Sequence, residues 1–294
     1  MSVWKSCDIR GIYGGELTAS FAQALGRAVG EHAAGGQVLV SGDVRPSTAT
    51  LKLALIDGLV AAGAHVLDAG IVPTPAFYHA KRLLRVPTGV MVTASHNPPA
   101  YNGFKIELSD WPITEVELDG LRAAVERDSW TPTTPGTVVA VDALASYADD
   151  TVAAFGQLTR RRVVVDAGNG CMSVIGPQVL AALGLDVVRL FCSYDGTFPN
   201  RSPNPADASQ LAELQKMVLT CDAELGLAFD GDGDRVAFVD GSGAWQPADR
   251  VFVLLVDRAL RQRPGAAVVY DQKSSTIVPE AIAAAGGRAI RERS

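Results

Sequence analysis

From residue 37 onward the chain alternates short apolar extended runs with amphipathic stretches, a pattern that a sheet layered between helices satisfies. Gln37 to Val40 reads as a strand, Ser47 to Ala62 as a helix capped by Ser47 or Thr48, His65 to Asp68 as a strand and Ala76 to Leu84 as a helix. Gly89 to Thr93 is the next strand. It delivers the chain into Ala94-Ser95-His96-Asn97-Pro98-Pro99, whose prolines and asparagine forbid continued regular structure. A loop at the end of a buried strand is where open α/β sheets put ligands. The Thr- and Pro-rich stretch Asp128 to Val138 reads as a linker. A second unit follows, with helices at Leu144 to Leu158, Ser173 to Leu183 and Asp207 to Leu219, and strands at Arg162 to Asp166, Asp186 to Leu190 and Glu224 to Phe229. It ends on another loop, Asp230-Gly231-Asp232-Gly233-Asp234-Arg235. A third unit opens with helix Asp249 to Gln262, strand Ala266 to Tyr270 and helix Thr276 to Ala285. The expectation is an α/β protein of consecutive mixed-sheet domains divided as 1–137, 138–245 and 246–294, the last too poor in strands to form a sheet alone.

With 294 residues, 48% of them hydrophobic and 20% charged, the chain has core enough for two domains and part of a third. No apolar run approaches the roughly 20 residues that span a bilayer. Met1 to Lys5 lacks a secretory signal, and Cys7, Cys171, Cys192 and Cys221 are scattered without a C-x-x-C pair. Free thiols, a cytoplasmic location and no membrane partner are therefore expected. A net charge of −6 argues against nucleic acid, whose backbone is bound by clustered excess Lys and Arg. Small phosphorylated ligands need only a local cluster of donors. No oligomeric state follows from the composition.

Asp230, Asp232 and Asp234 carry the strongest chemical signal, because three carboxylates alternating with glycine repel one another unless a cation joins them. With no His or Cys in the cluster the donors are all oxygen, which favours Mg²⁺ or Mn²⁺ over zinc. An EF-hand fails, since that motif wants Gly at Arg235 and Glu at Gly241. A solvated acidic turn is the structural alternative. Three carboxylates exceed the charge of one divalent ion, so a phosphoryl-transfer site needs added positive charge, and Arg235 is adjacent. Ser95 beside His96 suggests a nucleophile and base, but sequence neighbours on a loop seldom face each other as a triad requires. The other readings are a serine that carries a phosphate, with His96 and Lys105 as donors or proton carriers, and a serine that merely shapes a turn.

Four segments, in order, resemble the α-D-phosphohexomutases of the phosphomannomutase/phosphoglucomutase kind. Cys7-Asp8-Ile9-Arg10-Gly11 is similar to the family's D-I-R-G signature, and Thr93 to Lys105 to its serine loop T-A-S-H-N-P-x-x-Y-N-G-x-K. Val165 to Gly170 resembles the strand and turn that open the second domain, and Asp230 to Arg235 the D-G-D-G-D-R metal loop. The wording of Tyr101 to Lys105 is closer to the mannose and glucose branch than to the glucosamine branch. The resemblance implies an isomerase-class phosphotransferase. Phosphorylated Ser95 would give its phosphoryl group to a hexose phosphate, a hexose 1,6-bisphosphate would turn over in the cleft, and the other phosphate would return to Ser95. It implies Mg²⁺ on Asp230, Asp232, Asp234 and the Ser95 phosphate, proton transfer and charge stabilisation by Arg10, His96 and Lys105, and substrate contacts from Arg235 and Lys273. The family's sugar-selecting loop G-E-x-S-G-H and its fourth domain have no counterpart before Ser294, so the third domain is expected to be cut short and turnover by this chain alone to suffer. Ser41-Gly42-Asp43-Val44-Arg45 departs from the family's G-R-D-x-R by one lost arginine. A non-catalytic relic that binds metal and sugar phosphate, and a slow metal-dependent phosphatase, are the rival functions.

Overall fold

The computed structural model describes residues 3–127, 130 and 133–293. Met1, Ser2, Ser294 and four residues of the expected linker (128, 129, 131 and 132) lie outside the described residues. The first unit runs β1 (Ile9–Ile12), α1 (Ala19–Ala33), β2 (Gln37–Gly42), α2 (Thr48–Ala61), β3 (His65–Ile71), α3 (Thr74–Leu84), β4 (Thr88–Val92), β5 (Tyr101–Glu107), α4 (Glu115–Val125) and β6 (Val138–Ala140). Its sheet has the order β1-β5-β4-β2-β3-β6, with β4, β2, β3 and β6 parallel and β5 and β1 antiparallel to their neighbours. β2 and β4 are apolar almost throughout because helices cover both faces of the sheet's middle. On one face α1 and α2 cross so closely that a Cβ on Gly26 would stand 2.1 Å from the Leu55 carbonyl oxygen, and one on Gly58 2.1 Å from that of Gln23. On the other face α3 packs with Phe77 under β4, where Gly89 leaves room for its ring.

The linker expectation is modified at its end. Thr137 accepts from Val66 N, and β6 pairs with β3, so the first sheet continues past the 137–138 division to Ala140.

The second unit comprises α5 (Ala143–Phe155), β7 (Arg162–Asp166), α6 (Met172–Ala182), β8 (Asp186–Leu190), a 3-10 turn (Ala208–Leu211) leading into α7 (Ala212–Thr220), β9 (Leu225–Phe229), β10 (Val236–Asp240) and β11 (Trp245–Gln246). Its sheet order is β11-β10-β9-β7-β8, parallel through β9-β7-β8 and antiparallel beyond, so both sheets are mixed. The third unit has α8 (Ala248–Gln262), β12 (Ala267–Asp271), α9 (Ile277–Ala284) and β13 (Arg288–Glu292); its two strands pair in parallel, and Val256, Leu260, Val278 and Ile282 make a small core. No helix among the described residues is long and apolar enough to cross a membrane.

Candidate active site

The buried strand β4 ends at Val92, and the next residues are held from below by a network centred on Arg45, which is 2% exposed. Its Nη1 donates to the Pro98 and Tyr101 carbonyls at 2.7 and 3.0 Å and its Nη2 to those of Ser95 and Asn97 at 2.8 and 2.6 Å. Its Nε donates to Asp43 at 2.9 Å, and the Thr48 and Thr93 hydroxyls donate to the same carboxylate, each at 2.7 Å. Thr93 in turn accepts the Ser95 N–H at 2.9 Å. This network holds Ser95 in the left-handed region, φ +52°, a conformation that costs a non-glycine residue on the order of 1 kcal/mol or more. Gly42, where the family pattern has arginine, lies against Thr48; a Cβ there would come 2.4 Å from the Thr48 methyl carbon.

The second sheet delivers the acidic loop to the same place. β9 ends at Phe229, whose carbonyl accepts from Arg201, and Arg201 is itself paired with buried Asp166 at 2.7 Å. Asp230 N donates to the Arg235 carbonyl and Gly233 N to that of Asp230, closing a tight turn that needs φ +75° at Gly233. Gly231 is required for a different reason: a Cβ there would sit 2.6 Å from the Ser95 carbonyl oxygen.

The turn brings one carboxylate oxygen each of Asp230, Asp232 and Asp234 within 4.8 Å of one another. Ser95 Oγ donates to Asp230 Oδ2 at 2.9 Å, and Lys105 Nζ stands 2.6 Å from both Asp232 Oδ2 and Asp234 Oδ2. Thr74 Oγ1 also donates to Asp232 Oδ2, at 2.7 Å, while Asp232 Oδ1 is buried without a hydrogen-bond partner. An orphaned carboxylate oxygen amid an all-oxygen set is what a hard divalent cation fits, so the residues suit Mg²⁺. Burial, then the Asp232 and Asp234 charges, push the Asp230 carboxyl up to about 8. Burial also works against the Asp232 carboxylate, but Lys105 outweighs it and holds the group below the usual range.

His96 Nδ1 lies 3.4 Å from Ser95 Oγ but accepts from Arg235 Nη1 at 2.9 Å. Burial, then Arg235 and Arg10, lower its pKa, so the ring is neutral near pH 7 and the nitrogen facing the serine is already engaged. A serine–histidine triad is absent from this geometry. Arg10 is tied to Asp8 at 2.7 Å and reaches Asn97 Oδ1 at 3.3 Å, which puts it at the rim of the same loop. Lys273 stands apart. It is exposed in the turn after β12, its backbone N donates to Asp271, and no hydrogen bond or ion pair among the described residues joins it to the Ser95 cluster.

One correction concerns the serine loop. Only Thr93 to Ala100 is irregular; Tyr101 to Glu107 returns as strand β5, so Lys105 projects from a sheet strand paired with β4 and not from a loop. Sequence reasoning missed Arg45, Asp43, Thr74, Arg201 and Asp166. The first two lay in a segment noted only for its lost arginine. Asp166 and Arg201 are 35 residues apart, and Thr74 and Asp232 158, separations over which sequence gives no pairing signal.

Fold and site together define a multidomain α/β protein whose serine and triple-carboxylate loops, carried on different sheets, meet at the ends of buried parallel strands. The family model of phosphoglucomutase/phosphomannomutase α/β/α domain I matches residues 2–132 and that of domain II residues 141–243. The chain belongs to the phosphoglucomutase/phosphomannomutase family. It is 40% identical over 292 residues to a phosphomannomutase/phosphoglucomutase of Pseudomonas aeruginosa, covering 98% of this chain and 63% of the relative. With a phosphoglucomutase of Neisseria gonorrhoeae it shares 37% over 298 residues, 99% of this chain and 64% of the relative. A crystal structure of a family protein from Burkholderia thailandensis superposes with a TM-score of 0.94 at 35% identity, over 99% of this chain and 66% of that one. The chain thus spans a little under two thirds of the length of these relatives.

Proposed function

We propose that this chain carries the phosphoserine and metal-binding portions of a phosphohexomutase that interconverts hexose 1-phosphate and hexose 6-phosphate, with mannose or glucose as the sugar. The relatives named phosphomannomutase/phosphoglucomutase and phosphoglucomutase support the substrate class. The observation that carries the reading is Ser95 Oγ, set on a strained loop 2.9 Å from the carboxylate loop of the next domain, with an orphaned carboxylate oxygen beside it.

In the proposed reaction the Ser95 phosphate ester breaks its Oγ–P bond while a sugar hydroxyl oxygen forms the new P–O bond, giving a hexose 1,6-bisphosphate and free Ser95. Transfer of the other phosphate back to Ser95 completes the exchange. Mg²⁺, held by Asp230, Asp232, Asp234 and the Ser95 phosphate, would offset charge on the transferring group. Lys105, Arg10 and Arg235 add positive charge around Ser95. His96 is proposed to take the proton that the attacking hydroxyl loses, which requires its Nδ1 to give up the contact with Arg235, and to return it to the Ser95 Oγ released as the ester breaks. Lys273 is proposed as a substrate ligand from the third unit, and the units are proposed to divide after β6, past Ala140, and at 245–246.

The test is incubation with glucose 1,6-bisphosphate and Mg²⁺, with mass spectrometry of the Ser95 peptide in wild type and Ser95→Ala, beside turnover of mannose 1-phosphate. Phosphate on Ser95 in the wild type alone supports the reading. Steady release of inorganic phosphate without sugar exchange favours the phosphatase, and an unmodified protein that still binds Mg²⁺ favours the relic.

A further inference from the structure

Asp232 is the carboxylate on which two domains converge. Its loop belongs to the second unit, yet the groups that orient it come from the first. Thr74, wholly buried, is the opening residue of α3; its Oγ1 donates to Asp232 Oδ2 at 2.7 Å and its backbone N–H to the Asp232 carbonyl at 2.8 Å. Pro73, at the cap position, has no side-chain donor or acceptor to offer the helix end, so the Asp232 carbonyl takes an N–H that would otherwise be orphaned. The loop lies flush against the first domain: a Cβ on Gly233 would stand 3.2 Å from that of Pro73 and one on Gly231 2.6 Å from the Ser95 carbonyl oxygen. With Oδ2 shared between Thr74 and Lys105, the oxygen left over is Oδ1, buried and unpartnered, the atom available to a cation.

We infer that Thr74 is a positioning residue for the metal centre: it fixes the Asp232 carboxylate so that Oδ1 faces the cation, and thereby makes cation binding depend on the docking of the first domain against the second. This inference rests on the reading of the Asp230–Asp232–Asp234 cluster as a metal site. Partners of ligand side chains commonly govern metal affinity by 10- to 100-fold. Because linkage is reciprocal, a cation held this way also tightens the contact between the two domains.

The experiment is Mn²⁺ binding to the 294-residue protein, measured by electron paramagnetic resonance, for wild type and the series Thr74→Ser, Thr74→Cys and Thr74→Val, with circular dichroism to establish that each is folded. The hydroxyl of Ser replaces that of Thr, the thiol of Cys donates weakly and Val does not donate. Affinity should follow that order: within about threefold of wild type for Ser, weaker for Cys, and about 10- to 100-fold weaker for Val. If Val does not fold, Ser against Cys decides. Equal affinity for the folded variants, or a loss in Ser as large as in Cys and Val, overturns the positioning role while leaving the metal site intact. A wild type that binds no Mn²⁺ overturns the metal reading itself, and the inference with it.

Discussion

Asp230 shows how far a side chain's chemistry departs from its name. Buried beside two further carboxylates, it holds a proton up to about pH 8 in the metal-free protein. Since its folded pKa is raised, its contribution to stability is present at low pH and is lost as pH rises through about 8. A cation and that proton compete, so Mg²⁺ affinity should climb with pH below about 8, approaching tenfold per unit, and level off above it. Calorimetric titrations of Mg²⁺ at pH 7 in two buffers of different ionisation enthalpy should report close to one proton released; release of none would refute the assignment. Lys105 is the matching case. Burial opposes its charge, but Asp232 and Asp234 outweigh burial and raise its pKa far above the ordinary lysine value, so it remains an ammonium throughout the working range.

At the scale of elements, the site depends on close approach of backbones. Gly231→Ala places a methyl group where the Ser95 carbonyl stands and should force the two loops apart; Mn²⁺ affinity should fall at least tenfold while far-UV circular dichroism stays unchanged, since no helix or strand contains the residue. The α1–α2 crossing makes the same demand far from the chemistry. Gly58→Ala should destabilise the protein by about 1–3 kcal/mol, read as a lowered urea midpoint at unchanged slope, because the added Cβ overlaps the Gln23 carbonyl. Arg45 works between these levels. One guanidinium satisfies four carbonyls of the serine loop, a geometry lysine cannot copy, so Arg45→Lys should loosen that loop and slow phosphorylation of Ser95 by glucose 1,6-bisphosphate at least tenfold.

For the whole molecule, the decisive contacts cross from one unit to the next. α5, from the second unit, packs Ala143, Leu144 and Tyr147 into the core beneath α3, and His79 reaches Asp150 at 2.8 Å. Nearer the site, Gly196 lies so close to the Val44 carbonyl that a Cβ would come within 2.1 Å, and the Arg45 guanidinium stacks 5.2 Å from the Phe198 ring centre. Lys105 adds a largely buried ion pair across the same junction. Its removal strands Asp232 without a counter-charge, and breaking such pairs costs about 3–5 kcal/mol. Lys105→Ala should therefore unfold at markedly lower urea concentration than wild type without metal, and saturating Mg²⁺ should narrow the gap; a gap unaffected by Mg²⁺ would show that the lysine and the cation do not act on the same carboxylates.

What the sequence by itself determined was whatever is written in local pattern. Apolar runs of four or five residues marked β2, β4, β7 and β9, amphipathic spacing marked α3 and α8, length and apolar content marked α2 and α6, and the two loops that follow buried strands carried Ser95, His96 and the three aspartates. It was silent on β1 and β11, which are four and two residues long, on β10, and on β5, whose Tyr101-Asn102-Gly103 opening reads as loop until it pairs with β4 and β1. Only the tertiary structure decided that Ser95 Oγ and Asp230 Oδ2, 135 residues apart, lie 2.9 Å from each other, that Thr74 and Lys105 reach across a domain junction to Asp232, and that Arg45 binds the serine loop from beneath. The physical reason is that secondary structure follows from contacts along a few residues of chain, whereas a buried polar network exists only where packed domains exclude water and leave each donor no other partner.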